Sequence, residues 1–233
     1  MGRAGGDTGA ALGPLTAIRD LWSPLVNTQF FAAWIEEIAA AVRARRDHLT
    51  QLDAAIGDAD HGANLDRGFT AAQEALAGAS PQTPGALLVL VGSTLIRKVG
   101  GASGPLYGTA FREMGKAFGE AAEISPAELS AGLNAALAGV QRLGAAAEGD
   151  KTMVDALAPA AKALAQAVRD GLKPEEALEA AAAAAEQGAG ATIPLQARKG
   201  RASYLGPRSV GHEDPGAAST ALLFGALKAA ASR

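Results

Sequence analysis

Apolar residues recur along this chain, in one segment after another, with the spacing of one face of an α-helix. One stripe passes through Phe31, Ile35 and Ile38, a second runs from Leu129 to Leu143, and a third from Met153 to Val168. Alanine, the best intrinsic helix former, is frequent in most of these segments. No stretch alternates apolar and polar residues over a length that would predict a β-strand. The pattern predicts an all-α protein.

Proline and glycine divide this periodic sequence into about eight helices. Ser125 and Glu128 flank Pro126 in the pattern of a capping box, which predicts a helix start. A central helix is predicted around the apolar segment 87–96, and the helix before it is expected to begin after Asn64. Because short loops make neighbouring helices antiparallel, we predict a single domain, a barrel or bundle of about eight antiparallel helices.

The termini and the composition limit the class of protein. Residues 1–21 are glycine-rich and lack periodicity, so we predict a flexible extension ahead of one domain spanning 22–233. No apolar segment follows Arg3, and the run 85–96 is shorter than the roughly 20 residues of a membrane span, which predicts neither a signal peptide nor a membrane partner. A net charge of −3 offers no basic footprint for nucleic acid, and the absence of cysteine excludes thiolate chemistry. We expect a cytoplasmic protein.

Three aspartates cluster in a stretch that departs from the helical pattern, Leu52–Gly68. Asp53, Asp58 and Asp60 would repel one another unless a cation lay between them, and carboxylate oxygens suit hard divalent cations. The spacing does not match an EF-hand loop. An Asx-turn or a helix cap explains such a short loop equally well. From spacing alone, a metal site and a turn remain even alternatives.

Two further stretches are rich in glycine or in cations. Residues 99–108 place glycines ahead of a helix start, which is typical of an anion site but also of a plain turn between helices. Residues 196–216 form a long loop, and loops of that length inside a compact domain are more often functional than not. Its cations suit phosphate contacts, although solvated surface charge is an alternative; they are Arg198, Lys199, Arg201 and Arg208.

Together these stretches resemble the nucleotide-binding L subunits and L domains of the dihydroxyacetone kinase family. The similarity is carried by four motifs in the same order, LDAAIGDADHGAN, KVGGASGPLYGT, GDKTM and QARKGRASYLGPRSVGHEDPGA, and it covers the chain from about Thr28 onward. One departure, Pro194 after Ile193, lies outside the motifs. The resemblance implies a barrel of eight antiparallel helices with a nucleotide bound at one end.

The resemblance also implies the residues of the site. Asp53, Asp58 and Asp60 would hold two Mg²⁺ ions that bridge the phosphates of ADP or ATP, and Arg201 would act in catalysis and help to close the site. The remaining nucleotide-binding residues that it implies are His61, Gly62, Ala63, Asn64, Ala102, Ser103, Gly144, Met153, Asp214, Pro215 and Gly216.

The implied activity is that of half a kinase. In the family, the phosphoryl group passes to dihydroxyacetone that a separate K subunit or domain holds on a histidine, and this chain has nothing resembling that part. We expect the phosphoenolpyruvate-dependent version, in which ADP remains bound as a cofactor and an M subunit of the phosphotransferase system rephosphorylates it. An ATP-dependent kinase for another small ketose such as erythrulose is the nearest alternative. A non-catalytic ADP-sensing module is the alternative from another class.

Overall fold

The computed structural model describes Trp22 and residues 26–233, so the predicted extension 1–21 lies outside the described residues. The described chain forms nine α-helices and one 3₁₀-helix, with no strand beyond an isolated bridge between Asn27 and Glu123. The α-helices are α1 (Thr28–Ala44), α2 (Arg46–Ile56), α3 (His61–Ala79), α4 (Pro84–Lys98), α5 (Ser103–Phe118), α6 (Pro126–Gly144), α7 (Val154–Arg169), α8 (Pro174–Gly190) and α9 (Pro215–Ala230), and the 3₁₀-helix spans Arg201–Ser209.

Eight of these helices close into a ring. Following the packing contacts, α1 lies beside α3, the sequence α3 to α9 continues around the ring, and α9 returns to α1. The core fills the inside of this ring and includes the tilted and edge-on aromatic contacts of Phe31, Trp34, Phe111 and Phe118. The prediction of an all-α helical barrel in a single domain is therefore confirmed, while the domain boundary at residue 22 stays a prediction.

The stretch Leu52–Gly68, predicted to depart from the helical pattern, is instead mostly helical. It contains the end of α2 and the beginning of α3, and only residues 57–60 lie between the two helices. The extra helix α2 escaped prediction because it shows the core only Leu49, Asp53 and Ile56, a short stripe with a carboxylate in its middle. Helix α3 begins at His61 rather than after Asn64, although its first residues are poor helix formers.

The predicted helix start at Ser125 is confirmed by its hydrogen bonds. The Ser125 hydroxyl accepts from the Glu128 backbone N–H, and the Glu128 carboxylate accepts from the Ser125 backbone N–H, which completes the capping box. At α9, the Asp214 carboxylate accepts from the Ala217 N–H at 2.7 Å. Within the predicted loop 196–216, the 3₁₀-helix gives the backbone local hydrogen bonds that the sequence pattern did not indicate.

Helices α4 and α5 approach so closely that glycine is required at their contact. A Cβ atom built on Gly92 would lie 2.5 Å from the carbonyl oxygen of Gly108, and one built on Gly108 would lie 2.6 Å from that of Gly92. At the end of the pair, a Cβ on Gly104 would lie 2.4 Å from the carbonyl oxygen of Val99. Residues later in α4 contact residues earlier in α5, so the two helices are antiparallel. The start of α5 therefore lies against the end of α4.

We expect Gly92→Ala to lower the free energy of unfolding by about 1–3 kcal/mol, because the added methyl group must push α5 away. The matched control is Gly225→Ala in α9, where a Cβ would meet nothing within 4 Å and the gain in helix propensity should stabilise slightly. Urea unfolding of the two variants measures both effects. Equal stability of Gly92→Ala and wild type would contradict the close α4–α5 contact.

Candidate functional site

The three aspartates predicted to bind metal do come together. Asp53 is buried near the end of α2, while Asp58 and Asp60 are exposed in the turn that follows it, and one oxygen of each carboxylate lies within 4.8 Å of the others. The Asp53 Oδ2 atom accepts hydrogen bonds from the backbone N–H groups of Asp60 (2.8 Å) and His61 (3.2 Å). We call Asp53, Asp58 and Asp60 the acidic cluster.

The backbone of this turn is shaped around the Asp53 carboxylate. A Cβ on Gly57 would lie 1.9 Å from Asp53 Oδ1, so only glycine fits there. Ala59 has a φ of +63°, a conformation that costs a non-glycine residue free energy and that functional loops often retain. Asp53 therefore caps the start of α3 through Oδ2, as the cap interpretation predicts, while the metal interpretation stays a prediction.

Oxygen donors in this arrangement fit a hard divalent cation such as Mg²⁺. Within the described chain, the one cation paired with the acidic cluster is Arg201, whose Nη2 atom lies 3.0 Å from Asp58 Oδ2. That pair is exposed, and its carboxylate is free to exchange the guanidinium for a metal ion at small energetic cost.

A cleft with a volume of about 280 Å³ opens beside the acidic cluster at one end of the barrel. Four helices, α3, α5, α7 and α9, contribute their first residues to its wall. Helix N-termini carry unpaired N–H groups and partial positive charge, so their convergence favours a phosphate-bearing ligand. The predicted residues in the wall of the cleft are Asp53, Asp58, Asp60, His61, Ala102, Ser103, Gly144, Met153, Arg201, Asp214, Pro215 and Gly216.

Three of the predicted nucleotide-binding residues, Gly62, Ala63 and Asn64, lie outside the cleft wall. The early start of α3 turns them away: a Cβ on Gly62 would lie 2.0 Å from the Arg46 carbonyl oxygen, so this residue packs against α2. Asn64 is buried and lies behind the glycine-rich turn, since a Cβ on Gly100 would come within 3.0 Å of its amide.

A buried hydrogen-bond network joins the elements of the cleft. The His61 ring bonds the hydroxyl of Ser103 through Nδ1 (3.1 Å) and that of Ser219 through Nε2 (2.8 Å). Ser219 lies 2.7 Å from the Tyr107 hydroxyl, which also bonds Thr220 at 3.0 Å. Burial lowers the pKa of His61 although Asp53 and Asp60 oppose the shift, so the ring favours its neutral form, in which one nitrogen donates and the other accepts.

Sequence reasoning did not single out Tyr107, Lys151 or Ser219 as site residues. Tyr107 lies in the motif KVGGASGPLYGT and Lys151 in GDKTM, and these positions were the sequence signal that could have indicated them as site residues. Ser219 is one hydroxyl in an alanine-rich helix and carries no pattern of its own. Burial raises the pKa of Tyr107 to about 12, so its hydroxyl stays protonated as a donor.

The cationic stretch of the sequence forms the outer rim of the cleft. We define the cationic loop as residues 192–212; it contains the 3₁₀-helix and returns on itself where the Gly211 N–H donates to the Ile193 carbonyl at 2.8 Å. Its apolar residues Ile193, Tyr204 and Val210 are exposed, and Tyr204 keeps 88% of its surface accessible.

Asp214, just after the cationic loop, is a buried carboxyl group with an altered pKa. Burial raises the pKa to about 7 and nearby Asp155 acts in the same direction, while the hydrogen bond from Ala217 and the charge of Lys151 oppose it. The side chain therefore changes charge near neutral pH at the start of α9, inside the cleft wall.

Residues 55–229 match the family model of the DAK2 domain, which is most of the chain. The chain belongs to the DAK2 family. This membership confirms the resemblance to dihydroxyacetone kinases found in the sequence motifs. Within the part that the structure describes, no helix of this DAK2 protein is both long and apolar enough to cross a membrane.

Similar members of the DAK2 family include curated kinase subunits of nearly the same length. The chain is 42% identical over 198 residues to the ADP-binding subunit DhaL of the PEP-dependent dihydroxyacetone kinase of Escherichia coli (strain K12), covering 85% of this chain and 94% of DhaL. It is 40% identical over 196 residues to the ADP-binding subunit DhaL of the PTS-dependent dihydroxyacetone kinase of Lactococcus lactis, covering 83% and 93%.

Among solved structures, the fold resembles the dihydroxyacetone kinase of C. freundii in complex with AMP-PNP and Mg²⁺, with a TM-score of 0.66 and 26% identity. The match covers 98% of this chain but only 38% of that kinase. The DAK2 chain described here thus corresponds in fold to a minor part of a longer kinase.

The raised pKa of Asp214 predicts a pH-dependent stability difference. Between about pH 4 and pH 7 the folded protein retains a proton that the unfolded chain releases, so this group stabilises the fold at low pH and the contribution is lost as the pH rises. Asp214→Asn keeps an oxygen acceptor for the Ala217 N–H but cannot ionise. From pH 5 to pH 8, wild type should lose about 2 kcal/mol of unfolding free energy relative to the variant.

Urea unfolding of both proteins at each pH, without divalent metal, measures this difference. Parallel pH profiles for wild type and Asp214→Asn would contradict the assignment of a raised pKa to Asp214.

Proposed function

We propose that this chain is the nucleotide-binding subunit of a dihydroxyacetone kinase, holding ADP with Mg²⁺ and passing a phosphoryl group to dihydroxyacetone on a separate K subunit. The observation that carries the proposal is the convergence of the acidic cluster, four helix N-termini and Arg201 on one cleft. The similarity to ADP-binding DhaL subunits over nearly their whole length supports it.

The residues of the cleft fit a metal-bound nucleotide diphosphate. The acidic cluster would hold two Mg²⁺ ions, which when bound neutralise the charge of the phosphates and of the transferring group. Three carboxylates at about −3 and a diphosphate at about −3 exceed the +4 of two such ions, and Arg201 together with the helix N-termini offsets the remainder. Ser103 at the start of α5 would contact phosphate, and Gly144 and Met153, which also line the cleft, would border the base.

Phosphoryl transfer demands positioning and charge stabilisation more than covalent chemistry from the protein. Arg201 is the cleft residue we assign to the charge that develops on the transferring group, because its guanidinium already lies at the acidic cluster. His61 orients Ser103 through its Nδ1 contact, and Ser219 and Tyr107 fix the plane of the ring from behind. The side chains named here hold and orient the donor, and none is shaped to bind a sugar.

We assign the phosphoenolpyruvate-dependent version, with ADP rephosphorylated in place by an M subunit of the phosphotransferase system. The similarity to PEP-dependent and PTS-dependent DhaL subunits across most of their length supports this choice. We place the activity in the cytoplasm, where phosphoenolpyruvate is produced.

The K subunit would dock over the rim of the cleft, because the acceptor hydroxyl must reach the donor phosphate in line. The rim offers Tyr204 and Val210 as exposed apolar anchors beside the exposed guanidinium of Arg198. Aromatic and arginine side chains of this kind commonly dominate the free energy of protein–protein binding.

An erythrulose kinase is the second candidate, favoured by 36% identity over 198 residues to a D-erythrulose kinase of Mycolicibacterium smegmatis. The chain covers only 34% of that protein, against 94% of the Escherichia coli DhaL. A non-catalytic ADP sensor would not need the complete acidic cluster, so the cluster argues for turnover.

Asp58→Asn and Asp60→Asn should each abolish Mg²⁺-dependent binding of ADP, because each removes one anionic ligand from the acidic cluster. Asp53→Asn is a poorer test, since Asp53 also caps α3. Calorimetric titration with Mg·ADP measures the loss of affinity. The midpoint temperature of thermal unfolding should remain unchanged or rise slightly, because repulsion among the carboxylates is relieved. Asp170→Asn, at the far end of α7, is the control. Wild-type affinity in both cluster variants would contradict the metal assignment.

The chain alone should phosphorylate no small ketose. Positioning an acceptor can supply roughly 7–11 kcal/mol of the barrier, and every cleft residue assigned a role above serves the nucleotide or its metal ions. The assay combines dihydroxyacetone with Mg·ATP, or with phosphoenolpyruvate and phosphotransferase components, each with and without a K subunit. Replacing dihydroxyacetone by erythrulose separates the two candidate substrates. Substantial turnover without K would overturn the half-kinase proposal.

A further inference from the structure

Lys151 is a buried lysine at the edge of the cleft whose ammonium group meets backbone carbonyls. Its side chain is 1% exposed, and its backbone adopts the left-handed conformation with a φ of +62°. The Nζ atom donates to the carbonyl oxygens of Thr192 (2.9 Å) and Leu195 (3.1 Å), and also to that of His212.

These contacts use every hydrogen that the ammonium group can donate. A lysine has three N–H donors and no acceptor, so Lys151 has none left for a phosphate oxygen even though it borders the cleft. Desolvation lowers the pKa of Lys151, and the negative charge of Asp214 opposes that shift. Lys151 must therefore act through the backbone carbonyl groups that its ammonium group binds.

The three carbonyls belong to the two ends of the cationic loop. Thr192 and Leu195 lie where the loop begins, and His212 lies where it ends, so Nζ closes the base of the loop. Arg201 stands in the middle of the same loop and reaches Asp58 in the acidic cluster.

We propose that Lys151 is a positioning residue whose ammonium group ties the two ends of the cationic loop together and so sets the place of Arg201 in the cleft. Its effect on nucleotide binding rests on the proposed function, whereas its effect on the loop does not.

The geometry explains why lysine rather than arginine occupies this position. Three carbonyl oxygens converge on one point, which suits the compact tetrahedral ammonium group. A guanidinium is planar, larger and directs its donors in a fixed fork, so it cannot reach the same three acceptors in this buried space. An apolar side chain would remove this donor from all three carbonyls, and only Thr192 would keep another described one, the Leu195 N–H at 3.1 Å; losing a donor is costly in a buried site.

The test exploits the absence of cysteine from the chain. The thiol introduced by Lys151→Cys is the sole thiol of the protein, and alkylating it in the unfolded protein before refolding gives two matched products. With 2-bromoethylamine the thiolate displaces bromide and restores a lysine-like ammonium; with 1-bromopropane it gives a neutral chain of the same length. Lys151→Arg completes the set, and Lys162→Met, which removes an exposed ammonium paired with Glu148, is the control.

Amide hydrogen exchange measures directly whether the backbone hydrogen bonds of the cationic loop remain formed. The reporter amides are those of Ala197, Arg198 and Gly211, which donate to Ser209 Oγ, the Asp150 carbonyl and the Ile193 carbonyl. We expect these amides to lose protection in the propylated and Lys151→Arg proteins and to keep it in the aminoethylated protein and in Lys162→Met. Affinity for Mg·ADP should fall about 10- to 100-fold in the first two, the usual effect of removing a group that orients binding residues, and recover with the ammonium.

Unchanged loop protection in the propylated protein would overturn the proposal, as would failure of the aminoethylated protein to recover it. If the neutral variants do not fold, recovery of both folding and protection by aminoethylation still assigns the effect to the ammonium. If wild type binds no Mg·ADP while the exchange results follow expectation, the proposed function fails and the positioning role stands.

Discussion

The closure of eight helices into an antiparallel ring is the constraint from which the rest of the structure follows. Because neighbours alternate in direction, α3, α5, α7 and α9 all begin at the same end, where their unpaired N–H groups gather. Contacts as close as that between Gly92 and Gly108 keep those helix starts in register. Two of the four connections at this end are long, residues 145–153 and 191–214, and both bear candidate site residues.

The acidic cluster shows how one residue serves fold and site together. Asp53 holds the backbone at the start of α3 through one oxygen, which fixes the turn that carries Asp58 and Asp60. Arg201 offsets part of the remaining charge through its pair with Asp58, which is exposed and readily given up. The acidic cluster keeps an excess of negative charge, because one guanidinium faces three carboxylates.

Periodicity and capping signals were enough to predict the helical class and the helix start at Ser125, because the apolar stripes of α1, α6 and α7 face a single core. They failed for α2, whose inward stripe contains a carboxylate, and for the first turn of α3, where packing of Gly62 against α2 overrides weak helix propensity. Of the fifteen site residues that motif resemblance implied, twelve lie in the cleft wall. The resemblance could not indicate Ser219 or the three carbonyls around Lys151, because backbone acceptors brought together by folding leave no trace in residue types.

The cationic loop also bears on how long a nucleotide stays bound. Both ends of the cationic loop bind the same buried ammonium group, so opening either end alone separates backbone carbonyls from the Lys151 donor. That separation opposes partial opening of the loop. With Lys151 in the proposed positioning role, release would require the whole rim to lift in one event, which would slow dissociation more than association. The residence time of the nucleotide would then depend on the contacts of Lys151 at the base of the loop. A change there would convert a retained cofactor into an exchanging co-substrate without altering any residue that contacts the nucleotide.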